Sequence, residues 1–293
     1  MDLLRETQRL RLDLLAVEVS RQLERSGIPH ALLKGPSTAN WLYDPPRVYN
    51  DVDVLVPLSR VTAAAAALTT AGIAAASGGG VGEEASHSLL MISSGGFEID
   101  VHISLPALPT AGDRVWKTLA SHLEPLDLGV GTVPALDTPG RCLVLALHAL
   151  NRAAHPQAGE DLRRALVAAG DESWARATDL AASLGAADLF DAGLSTVADS
   201  DRPMSRRAYL YASGAPSAAL GLQRLREARR RELPRLILRE VVPTRGFMVK
   251  AYPGTAGRRF GLLRAHLLRW KGLVKALPGA VRAVRAAGPR RRS

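Results

Sequence analysis

The chain has 293 residues, 47% of them hydrophobic and 23% charged, a globular composition that excludes a disordered or collagen-like protein. A single cysteine, Cys142, excludes an internal disulfide and a cysteine-rich metal site, and suits a reducing compartment. The net charge of +10 is unevenly held: no acidic residue follows Glu240, whereas 13 Lys and Arg lie between Arg245 and Arg292, which leaves residues 1–240 at −3. The N-terminal residues are too charged for a signal peptide, and no run of about 18 apolar residues occurs, so a soluble cytoplasmic protein is expected.

The first predicted element is an amphipathic helix over residues 1–26, with Leu3, Leu10, Leu14, Val17 and Leu23 near helical period and Gly27-Ile28-Pro29 ending it. His30-Ala31-Leu32-Leu33 reads as a short buried strand stopped by Lys34-Gly35-Pro36, and Ser37 to Tyr43 as a short helix. Asp51-Val52-Asp53-Val54-Leu55-Val56 is a strand that places Asp51 and Asp53 on one face, because side chains repeat every two residues. An Ala-rich helix runs from Leu58 to Ala71, and a glycine-rich stretch follows from Ser77 to Gly82. Leu89–Ile92 and Phe97–His102, joined by Ser93-Ser94-Gly95-Gly96, read as a hairpin.

A short helix is predicted around Trp116, then strands near 124–128 and 133–136. From Thr138-Pro139, a cap and first-turn pair, the pattern becomes helical, with segments around Leu143–Leu150, Leu162–Leu166 and Trp174–Leu184. Near the end, Phe260, Leu263, Leu267, Trp270, Val274 and Leu277 recur at steps of three and four, with Arg264, Arg269, Lys271 and Lys275 mostly between them and Pro278 as the stop. This basic tail has three readings: a helix packing its apolar stripe on the body, contact with an anionic membrane surface, or contact with nucleic acid. With 4% aromatic residues there is little to stack on bases.

Asp51-x-Asp53 is the most informative feature. Two carboxylates on one strand face offer oxygen ligands to a hard divalent cation, and Asp100 on the hairpin's return strand would supply a third. A glycine turn opening a helix, with Lys34 beside it, offers N–H groups and positive charge to phosphate. Together these suit metal-dependent phosphoryl or nucleotidyl transfer. Gly80-Val81-Gly82-Glu83-Glu84-Ala85 matches a dinucleotide fingerprint in letters only, since two glutamates stand where phosphate would sit. His148 and His155, seven apart and without thiol partners, do not make a zinc site.

Leu32-Leu33-Lys34-Gly35, Leu42-Tyr43, Arg47 and Asn50-Asp51-Val52-Asp53-Val54-Leu55-Val56 resemble the core of the uncharacterised nucleotidyltransferase family, within the polymerase-β-like nucleotidyltransferase superfamily. Ile99-Asp100-Val101-His102 is similar to that family's third-carboxylate strand. Val133-Pro134-Ala135-Leu136, Leu143 to His148, Asp161-Leu162, Val242-Pro243 and Tyr252-Pro253 fit its later stretches.

The resemblance implies an α/β (α+β) fold: a mixed-sheet nucleotidyltransferase-like domain over 1–137, a helical domain over 138–257, and a basic amphipathic helix and tail over 258–293. It implies Mg²⁺-dependent transfer of a nucleoside monophosphate from an NTP to an unidentified acceptor, with release of pyrophosphate. Asp51 and Asp53 would hold two metals and Asp100 would complete one site. Lys34, Gly35 and Ser37 would face the triphosphate. Arg47 would approach phosphate or tie down its loop, and His102 would serve as general base or make a structural hydrogen bond. Pro36 departs from the superfamily's usual Gly-Ser and removes one N–H that could bind phosphate; Asn50 replaces a smaller polar residue. The alternatives are an inactive nucleotide- or partner-binding module of the same fold and a toxin-like transferase acting on tRNA.

Overall fold

The computed structural model describes residues 3–76, 88–105, 107–108, 113–151, 155–197, 204–215, 217–228, 230–231, 233–242, 248 and 260–287. The glycine-rich stretch from Ser77 and the fingerprint-like Gly80–Ala85 lie outside them, as do Pro243 and Tyr252-Pro253. The chain opens with helix α1 (Leu3–Arg25), strand β1 (Ala31–Leu32), helix α2 (Pro36–Leu42) and strand β2 (Asp51–Leu55). A 3₁₀ turn (Leu58–Arg60), α3 (Val61–Thr70), β3 (Ala74–Ala76), β4 (Ser88–Ser93), β5 (Glu98–His102), α4 (Arg114–Leu119), β6 (Leu123–Asp127) and β7 (Thr132–Leu136) follow.

The seven strands form one mixed sheet in the order β3-β4-β5-β2-β1-β7-β6. β2 runs parallel to β5 and antiparallel to β1, which in turn runs parallel to β7; β3, β4 and β5 form an antiparallel meander. β3 carries no strand signal, because alanine is a poor strand former. Pairing with β4 across Ala74↔Ser93 makes it one.

Alternation along the central strands separates two cores. Val52, Val54, Ile99 and Val101 point to one face, where α1 and α3 cover them. The α1 stripe that docks there is Leu12, Leu15, Ala16, Val19 and Leu23; Leu3, Leu10 and Leu14 of the expected stripe face solvent. Leucines at 10, 12, 14 and 15 offer more than one stripe, and the sheet selects the one whose neighbour Asp13 can reach Tyr49.

The other face carries Leu33, Leu55 and Leu136 against the helices that follow: α5 (Thr138–Asn151), α6 (Pro156–Ala168), α7 (Asp171–Ser183) and α8 (Ala187–Leu194). α5 is buried nearly all round, as a central helix must be. The boundary drawn at 137 falls between β7 and α5, and apolar packing runs across it. Within the helical part, α8 meets α5 closely at Gly193, where a Cβ would lie 2.1 Å from the Ala146 carbonyl oxygen.

Helices α9 (Arg206–Ala212), α10 (Ser217–Glu227), α11 (Leu233–Val241) and α12 (Gly261–Ala286) complete the described chain. One expectation for α12 is corrected, and one of the three readings of its apolar stripe is set aside. The helix does not stop at Pro278 but continues for two turns, because Ala280, Val284 and Ala287 are buried with Leu210 and Ala219. That packing outweighs the hydrogen bond lost at proline. Nor does the predicted apolar stripe pack on the body: Leu263, Leu267, Trp270, Val274 and Leu277 are exposed. Among the described residues no helix is long and apolar enough to cross a membrane.

Candidate active site

β2 and β5 lie side by side in parallel register, with Asp51 opposite Glu98, Asp53 opposite Asp100 and Leu55 opposite His102. Because Val52, Val54, Ile99 and Val101 take the opposite face, Asp51, Asp53, Asp100 and His102 share the face on which the later helices pack. One ligand atom from each of Asp53, Asp100 and His102 lies within 4.8 Å of the others. Asp51, two residues before Asp53 on the same face, shares their electrostatic field.

Asp53 is the buried centre. Its Oδ1 accepts from His102 Nε2 at 2.6 Å, and Lys34 Nζ stands 3.2 Å from its Oδ2. Burial alone would raise the Asp53 pKa; the Lys34 charge and the His102 hydrogen bond outweigh it and hold the carboxyl below the ordinary range. An ionised Asp53 can only accept, so the bonding proton sits on His102 Nε2. Ser88 Oγ donates to Asp100 Oδ1 at 3.3 Å from the neighbouring strand β4.

Asp51 is the counterpart. Burial, and then repulsion from Asp53, push its pKa up to about 6, with Lys34 opposing. A set of carboxylates in which one member resists ionisation carries more negative charge than its surroundings compensate. Oxygen donors bearing excess negative charge suit a hard divalent cation, and Asp53, Asp100 and His102 together could hold a metal ion, with Asp51 beside them on the same strand face.

The turn after β1 is built by close approach. Gly35 has φ +62° and ψ −114°, and a Cβ there would lie 3.2 Å from the Asp51 carbonyl oxygen and 3.3 Å from the Tyr49 ring. Tyr49 is itself fixed, since its hydroxyl donates to buried Asp13, which also accepts from Arg9 at 2.9 Å. This packing brings Lys34 beside Asp53. Ser37 is buried, and its hydroxyl donates to the backbone carbonyls of Leu33 and Lys34 at 3.4 and 3.3 Å.

Arg47 is engaged elsewhere in the fold. Its Nη2 and Nε lie 2.7 and 3.2 Å from the two Asp161 oxygens, and its Nη1 donates to the Val48 carbonyl at 3.1 Å. Tyr43 donates to the same Asp161 at 2.5 Å, and Gln157 joins at 2.9 Å. This bidentate pair ties the loop before β2 to α6. Sequence reasoning singled out Tyr43, Arg47 and Asp161 separately without joining them. Their signal was two aromatic or cationic residues near a strand start and one aspartate in an otherwise apolar helix stripe, and nothing along the chain links positions 114 and 118 residues apart.

A family model described as uncharacterised nucleotidyltransferase matches residues 4–199. No curated protein matches the chain. Among solved structures, the solution structure of the antibiotic-resistance factor ANT(2'')-Ia is similar at 14% identity, covering 62% of this chain and 95% of that one, with a TM-score of 0.44. An antigenic nucleotidyltransferase-like protein from Paracoccidioides brasiliensis is similar at 14% identity over 61% of this chain and 92% of its own, with a TM-score of 0.35. The family match runs from α1 to just past α8 and so takes in the whole sheet and the paired aspartates at its centre. By that match the chain belongs to the uncharacterised nucleotidyltransferase family.

Proposed function

We propose that the protein transfers a nucleoside monophosphate from an NTP to an acceptor, with Mg²⁺ and with release of pyrophosphate. The observation that carries this reading is the register of β2 and β5, which sets Asp53 against Asp100 with His102 alongside. In the reaction an acceptor oxygen attacks the α-phosphorus, a new P–O bond forms, the α–β anhydride breaks, and the acceptor's proton passes to solvent or a base. Asp51, Asp53 and Asp100 are the residues that would hold the metal, which when bound neutralises charge on the phosphates and the leaving group. The chain's own contribution is placement. His102 orients Asp53, Ser88 orients Asp100, and Lys34 with Gly35 at the β1 turn is the candidate contact for the triphosphate.

A catalytically silent nucleotide- or partner-binding module is the second reading. It is favoured by the internal engagement of Ser37 and Arg47, two of the groups expected to meet phosphate. Calorimetric titration with each non-hydrolysable NTP, with and without Mg²⁺, followed by pyrophosphate-release assays, separates the two. Mg²⁺-dependent binding with turnover, both lost in Asp100→Asn, is the expected result. Binding without turnover on any acceptor supports the second reading, and no binding of any NTP overturns the transferase reading and leaves the partner-binding module.

A further inference from the structure

We propose that α12 is a membrane-surface helix that docks the protein on anionic phospholipid. The starting observation is the position of its apolar stripe. Leu263 is 56% exposed, Val274 71% and Leu277 48%, with Leu267 and Trp270 also facing solvent, although the helix is anchored to the body through Ala265, Ala280 and Val284. Burying five large apolar side chains would stabilise any structure able to cover them, at about 25 cal/mol for each Å² removed from water. Here the helix is held with the small residues inward and the large ones outward.

The arrangement around the helix matches a bilayer interface. At about 100° per residue, Leu263, Leu267, Trp270, Val274 and Leu277 fall within an arc of about 80°. Arg264, Lys271, Lys275 and Arg282 fall together along one edge of that arc, and all four are exposed. Lys and Arg stems can lie along apolar surface while their charged ends reach lipid phosphates. Trp270 adds an amphipathic ring, and its Nε1 donates to the Val241 carbonyl at 2.7 Å. That bond brings the end of α11 to the stripe, where Ile237, Leu238, Val241 and Val242 are exposed as well.

Charge decides among occupants. The 53 residues after Glu240 hold 13 Lys and Arg and no acid, so a second copy of this surface would be repelled and an anionic one attracted. A nucleic acid would meet the basic edge but leave the leucine arc in water. A bilayer with anionic headgroups engages both. This inference does not rest on the transferase reading.

The test uses full-length protein and vesicles of phosphatidylcholine, alone or mixed with phosphatidylglycerol. Sedimentation with the mixed vesicles and much weaker binding to phosphatidylcholine alone is the expected result. Lys271→Gln/Lys275→Gln should weaken binding about 25-fold, since each lysine near an anionic surface contributes about fivefold. Leu267→Gln/Val274→Gln, at exposed positions that leave the fold intact, should weaken it about tenfold or more at any salt concentration. Absence of vesicle binding overturns the proposal, as does binding that the Leu267→Gln/Val274→Gln pair leaves unchanged. Two other results also overturn it: vesicle-independent binding to duplex DNA or RNA that only the lysine variant weakens, and a dimer in solution dispersed by the leucine–valine variant with no lipid binding.

Discussion

Replacing Gly35 by alanine tests whether the β1 turn sets the geometry of the acidic site. At φ +62° and ψ −114° the backbone is the mirror image of an ordinary extended conformation, and an L side chain held there costs about 1–3 kcal/mol. The added Cβ would also press on the Asp51 carbonyl at 3.2 Å and on the Tyr49 ring at 3.3 Å. Neither neighbour yields freely: the carbonyl belongs to the first residue of β2, and buried Asp13 holds the Tyr49 hydroxyl. Relieving that contact adds about 1 kcal/mol. The total of about 2–4 kcal/mol corresponds to a melting temperature lowered by roughly 5–15 °C. Gly72→Ala is the control, because Gly72 has φ +71° with nothing within 4 Å of its would-be Cβ and should cost only about 1 kcal/mol. Thermal melting of the two variants beside wild type is the assay, with Mn²⁺ titration as its functional companion. If Gly35→Ala melts no lower than Gly72→Ala, the close packing of the turn on β2 is not what fixes the site.

Five further outcomes are expected. Arg47→Met leaves the Asp161 carboxylate to Tyr43 and Gln157 and should cost about 2–3 kcal/mol in denaturant unfolding, less than for a fully buried pair; Tyr43→Phe removes one hydrogen bond and should cost about 1 kcal/mol. Lys34→Met removes the charge that keeps Asp53 below its unfolded value of 3.8. A depressed carboxyl stabilises the fold above its unfolded pKa and loses that contribution as pH falls through the folded one, so the melting gap between wild type and variant should hold down to about pH 4 and narrow below it; a gap that does not narrow below about pH 4 refutes the ion pair's role. Asp51, raised to about 6 chiefly by burial, takes up a proton that competes with a cation. Mn²⁺ affinity measured by electron paramagnetic resonance should therefore fall about tenfold per pH unit below about pH 6 and stay level above it. Cys142 is buried with its thiol pushed up to about 12 by burial, so iodoacetamide should label it only after unfolding, as mass spectrometry would register.

Much of the site was legible because it is local. Asp51 and Asp53 share a face through the two-residue period of a strand, and Asp100 and His102 share one for the same reason. The hairpin of β4 and β5 is written in its apolar runs and in the Ser93–Gly96 turn. Glycine at 35, between Lys34 and a proline, marks a turn that another residue cannot easily make. The helices after Thr138 declare themselves by their leucine spacing, although the cap of α5 is Asp137, whose Oδ1 accepts from Gly140 N–H at 2.9 Å, and Thr138 lies within the helix.

What sequence alone determined, then, is which segments form strands and helices and which carboxylates each strand presents, since these depend on neighbours one to four positions away. Only the tertiary structure decided that Asp53 stands opposite Asp100, that Lys34 and His102 close on the same carboxylate, and that Asp161 binds Tyr43 and Arg47. The same holds for α12, where the identical apolar spacing serves a buried or an exposed face, and for Pro278, whose local preference to end a helix is overruled by Ala280 and Val284 packing beyond it. Strand register and helix orientation are settled by surfaces brought together from distant parts of the chain, and a periodic pattern specifies that a face exists without specifying what meets it.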